Sequence, residues 1–96
     1  MARDGVLTEA ALRAKLEGLG YTVSCYLYHP GTSFPDHTHG MDKIDAVLSG
    51  TLRITTAEGA VDLGPGDSVY VPAGAVHSAK VIGNTPVLSL DAVKVR

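Results

Sequence analysis

From Tyr21 onward the chain is a series of short β-rich runs, each closed by glycine or proline. YTVSCYLYH stops at His29-Pro30-Gly31, and KIDAVLSG stops at Ser49-Gly50. TLRITT and AVDL flank Ala57-Glu58-Gly59, a hairpin signal. Leu63-Gly64-Pro65-Gly66 suits a tight turn, with proline fixing φ and Gly66 free to take φ > 0. DSVYV ends at Pro72-Ala73-Gly74, VHSAKVI leads to Gly83-Asn84, and PVLSLDAVKV follows. Breaks this frequent leave no room for long helices. The pattern predicts an all-β fold, a small antiparallel barrel or double-sheet sandwich. At 96 residues, one domain over 1–96 is expected, with the β-barrel over 21–96. So short a chain has a modest core and gains from closing its sheet, which removes exposed edges.

The exception is TEAALRAKLEGLGY, which reads as one short N-terminal helix over 8–20. Thr8 can cap it, Glu9 puts negative charge in the first turn, and Gly20 suits the C′ position. Leu7 and Leu12 stand at hydrophobic-staple positions. Leu12, Leu16 and Leu19 form one apolar stripe, so the helix should lie against a sheet.

Composition narrows the partners. A net charge of −2 with both signs interspersed offers no basic run for phosphates, so no nucleic acid is expected. The opening MARDGVLTEAALRAKL lacks the apolar stretch of a secretory signal, and no run is long enough to span a bilayer. A cytoplasmic, reducing location without membrane contact is the expectation. The single cysteine, Cys25, excludes an internal disulfide and a cysteine-rich zinc site, and reads as a small buried hydrophobe.

The chemistry concentrates in GTSFPDHTHGMDKIDAVLSG, residues 31–50. On a strand, His37 and His39 would project to one face, roughly 6.5–7 Å apart along the chain. His77, after the Pro72-Ala73-Gly74 corner, is the candidate third imidazole. Three neutral imidazoles suit Fe, Mn, Zn, Ni or Cu and leave positions open for water or substrate. Each ring also needs an acceptor to fix its tautomer.

The glycines and prolines around these histidines run Gly31-x5-His37-x-His39-x3-Lys43-x6-Gly50, then Gly66-x5-Pro72-x-Gly74-x2-His77. Both stretches resemble the two conserved motifs of the cupin family. The resemblance covers residues 31–81 and implies a double-stranded β-helix of two facing sheets. It further implies a divalent transition metal inside the barrel on His37, His39 and His77. There are two departures: the family's glutamate ligand falls on Lys43, and its asparagine on Val81.

Lys43, Asp45 and Val47 alternate on one strand face, opposite Ile44, Ala46 and Leu48. If the resemblance holds, the Lys43 face points into the barrel. An ammonium cannot ligate a cation and would be repelled by one. Three arrangements are open. Asp45 neutralises Lys43 and the metal rests on three histidines, as in some cupin-type thiol dioxygenases. Alternatively, Asp45 replaces the glutamate while Lys43 turns aside. In the third, no metal binds, and the histidines and Lys43 form a polar pocket, as in metal-free sugar-modifying cupins.

The functional expectation is a metal-dependent small cupin, of oxygenase or isomerase type, acting on a small anionic substrate. Lys43 and Asp45 are its candidate catalytic residues. A metal-free binding or sensing module is the competing reading. A homodimer is expected, with TPVLSLDAVKV as the apolar edge that would pair. Phe34 and Met41 are candidates for the pocket mouth. Asp36 and Asp42 read as solvated loop residues, His29 as a surface histidine, and Tyr26, Tyr28 and Tyr70 as packing aromatics.

Overall fold

In a computed structural model, which describes residues 8–94, one helix precedes eight strands. The helix α1 is Glu9–Gly18; β1 is Tyr21–Tyr28, β2 Ser33–His37, β3 Lys43–Ser49 and β4 Leu52–Thr56. Then come β5 Gly59–Leu63, β6 Ser68–Val71, β7 His77–Val81 and β8 Val87–Lys94. They form two four-stranded antiparallel sheets, ordered β1-β8-β3-β6 and β2-β7-β4-β5. The chain passes back and forth between the two, giving the double-stranded β-helix. The all-β expectation with one short helix is met.

The pleat sorts side chains between two apolar clusters. On β3, Val47 faces inward with Leu52, Ile54, Leu63, Val81 and Val87, which fill the space between the sheets. Ala46 faces outward with Val23, Leu90 and Ala92, and Leu16 of α1 covers them. Burying a leucine such as Leu16 stabilises by about 1.5–3 kcal/mol. Val81, where the family's motif has asparagine, belongs to the inner cluster.

The helix begins as the sequence indicates. Thr8 Oγ1 accepts from the Ala11 amide at 3.0 Å. Arg13 Nη1 donates to the Val23 carbonyl at 2.8 Å, fastening α1 to β1. The stripe is shorter than expected, because Leu19 is exposed: the helix has ended at Gly18 and Leu19 caps it with non-helical torsions. Gly20 follows at φ +93°. The Leu7 side of the staple lies outside the described residues.

Gly50, at φ +82°, has a steric reason to be glycine. A β-carbon there would collide with the Pro86 carbonyl oxygen and press on Val87 Cα at 2.9 Å. The β3–β4 turn thus lies directly on the entry to β8. The expectation that the C-terminal strand offers an edge is corrected: β8 lies between β1 and β3 and is paired on both sides. Its alternating apolar residues serve the two faces of an interior strand. Cys25 is half-buried rather than buried and packs against the outer cluster.

Candidate metal centre

The three histidines come from a strand end, a loop and a strand start. His37 is the last residue of β2 and lies across from His77, the first of β7. The ladder slips between Phe34 and His37, where Pro35 has no N–H to give. His39 lies beyond β2, which corrects the expectation of two histidines on one strand face. Its loop is fixed instead by the Pro72-Ala73-Gly74 corner. The Gly74 amide donates to the His39 carbonyl at 2.9 Å, and the Ala73 amide donates to Asp42 Oδ1 at 2.7 Å. Asp42 is therefore an anchor rather than a free loop carboxylate.

These anchors bring the rings together. Centroids are 4.8 Å apart for His37–His39, 4.2 Å for His37–His77 and 5.1 Å for His39–His77. The backbone also sets their protons. His37 Nδ1 lies 2.7 Å from the Pro35 carbonyl, and His77 Nδ1 lies 3.0 Å from the Ala75 carbonyl. A carbonyl only accepts, so Nδ1 carries a proton in both rings, which in the neutral ring leaves the lone pair on Nε2. His77 is 2% exposed, and its Nε2 is buried without any hydrogen-bond partner. An orphaned lone pair in the interior is costly unless something binds it.

The donor set fits a metal ion. One ligand atom from each histidine lies within 4.8 Å of the others. An ion about 2.1 Å from each nitrogen requires them no more than about 4.2 Å apart. At tetrahedral angles the nitrogens stand about 3.4 Å apart, so the three rings draw closer together when they share one ion. Desolvation pulls His39 below the ordinary histidine pKa, and the Lys43 ammonium and neighbouring imidazoles push the same way, against Asp91. That favours the neutral ring a ligand needs. Asp45 is not part of this cluster.

Lys43 and Asp45 stand on the opposite sheet. Lys43 Nζ is 3.2 Å from Asp45 Oδ1 and 2.5 Å from Asp91 Oδ1. Asp91, on β8, lies directly across from Asp45 in the ladder. Burial alone would lower the Lys43 pKa, but Asp45 and Asp91 together outweigh it and hold it above the ordinary lysine value. The ammonium stays charged. Asp45 is pushed up to about 6, first by burial and then by the Asp91 carboxyl, with Lys43 opposing.

Asp91 is the residue that sequence reasoning missed. Its signal was a lone carboxylate in the run VLSLDAV, whose other residues are apolar except Ser89.

Between the two walls lies a cavity of about 400 Å³. Three histidines face Lys43, Asp45 and Asp91, and the remaining lining is Tyr26, Tyr28, Phe34, Leu52, Ile54 and Ala79. Phe34 is at the cavity as expected; Met41 is not, and stands exposed. Tyr26 and Tyr28 line it too, whereas Tyr70 is exposed elsewhere.

The chain belongs to the cupin family: a family model described as Cupin domain matches residues 25–93. A structure of unknown function from Rhizobium leguminosarum is similar at 28% identity and TM-score 0.70, covering 79% of this chain and 71% of that one. A cupin superfamily protein from Desulfitobacterium hafniense is similar at 24% and 0.71, covering 79% and 68%. The DMSP lyase DddQ from Ruegeria pomeroyi is similar at 23% and 0.71, covering 79% of this chain but 39% of that one. The last two likenesses are of fold alone. No curated protein matches the chain.

Proposed function

We propose that this cupin holds a divalent transition metal (Fe, Mn, Zn, Ni or Cu) on Nε2 of His37, His39 and His77 and acts on a small-molecule substrate. The observation that carries the reading is His77 Nε2, a buried lone pair with no partner on a ring whose other nitrogen is already committed. When bound, such an ion supplies a Lewis acid or, for a redox-active metal, a centre for oxygen chemistry, so isomerase- and oxygenase-type reactions both fit.

The chain's own contribution is positioning and proton handling. The Pro35 and Ala75 carbonyls orient two of the rings. Lys43 and Asp45 are the proposed catalytic residues. Asp45, raised to about 6, can give and take a proton near neutral pH, and Lys43 steadies its anion. With its charge held by two carboxylates, Lys43 is poorly placed to receive an anionic substrate. An anionic group would be drawn to the metal side instead.

The experiment is metal content of tag-free protein beside a His37→Ala/His39→Ala variant. About one equivalent of transition metal, lost in the variant, is the expected result. No uptake after anaerobic incubation with each of the five metals would overturn the reading. It would leave a metal-free binding cupin, which the charged Lys43 in the same cavity favours as the alternative.

A further inference from the structure

The wall opposite the histidines holds more negative than positive charge. Two carboxylates share one ammonium, and Lys43 reaches Oδ1 of both. An anion arriving there meets a lysine already neutralised and a carboxylate in excess. Asp91 is the most open of the three, with its side chain 23% exposed against 9% for Lys43 and 11% for Asp45.

The same cavity is walled by aromatic rings. Tyr26 and Tyr28 stack at 6.0 Å with planes 10° apart, and Phe34 meets Tyr28 edge-on at 5.1 Å. Burial first, then Asp91 and Asp45, pushes the Tyr28 phenol up to about 12, so it stays protonated and uncharged. Neutral, electron-rich ring faces beside a surplus carboxylate attract organic cations.

We propose that the cavity takes a small organic ammonium compound or zwitterion, its cationic group seated between Asp91 and the Tyr26–Tyr28–Phe34 rings. In a zwitterion the anionic end turns toward the histidines. That half rests on the metal reading above; the cationic half does not. The cavity, about 400 Å³, accommodates a molecule of this size.

The test is calorimetric titration of tetramethylammonium and of acetate into metal-free and zinc-loaded protein. Tetramethylammonium is expected to bind both forms, and acetate only the zinc-loaded one. Asp91→Asn should weaken tetramethylammonium binding at least ten-fold while zinc-dependent acetate binding changes less than two-fold. Tyr26→Leu, on an exposed edge strand, should weaken it about three-fold and serves if Asp91→Asn does not fold. Failure of tetramethylammonium to bind metal-free protein, or equal binding in the variants, overturns the proposal. So does acetate binding to metal-free protein. Failure to take up zinc counts against the metal centre alone, because the metal-free titration still decides the cationic half.

Discussion

The two ends of the barrel are built on the same strands and hold opposite contents. Along β3 the inward row runs from Lys43 and Asp45 to Val47, and along β8 from Asp91 to Val87. Along β7 it runs from His77 through Ala79 to Val81. One end is filled with apolar side chains; the other keeps a cavity lined by three histidines, a lysine and two aspartates. The pleat gives each row its direction, and residue identity alone decides whether the space closes. At the filled end any well-fitting apolar side chain serves. At the open end each charge depends on a specific partner, because an unpaired buried charge is costly.

The largest effect that would sharpen this contrast is expected at the filled end. Leu63→Ala should cost about 2–5 kcal/mol in urea unfolding, as for other large-to-small core changes, and leave the metal:protein ratio unchanged. At the open end, Lys43→Met strands Asp45 and Asp91 side by side. The loss should fall below the about 3–5 kcal/mol of a fully buried broken pair, because Asp91 is partly open. It should shrink as pH falls and a carboxyl takes up a proton. A pH-independent loss would mean that packing of the lysine stem, not its charge, matters.

A smaller, signed effect concerns Asp45. Its folded-state value of about 6 lies above the ordinary 3.8, so the folded form binds this proton more tightly. The stability this gives is fully present below 3.8 and is lost as pH rises toward 6. Asp45→Asn should therefore gain on the parent over that window and run parallel to it above. Thermal melts across the window read this directly. A variant that loses ground as pH rises would contradict the assignment.

The contrast between the ends also explains what the sequence could show. Turn residues and alternation reveal strands because both are local. Gly66, Gly74 and Gly83 take the positive φ that their turns need. The histidines were legible through their spacing and the glycine–proline frame around them. Asp91 was not, because its meaning comes from the β3–β8 register, which joins it to Asp45 across most of the barrel's sequence. The same register placed the C-terminal strand inside a sheet, although its alternating pattern reads equally well as an edge. His39 was expected on a strand, and only the bonds from Ala73 and Gly74 show that a loop holds it.

The central claim, that His77 Nε2 is kept for a metal, is tested most directly by His77→Leu. Metal-free, this change removes a buried nitrogen with no partner and, against that, the bond from Nδ1 to the Ala75 carbonyl, so the variant should melt close to the parent. With added zinc or cobalt, the parent should melt higher and the variant should not move. A variant that still gains stability from the metal, or that melts well below the parent without it, would contradict the account.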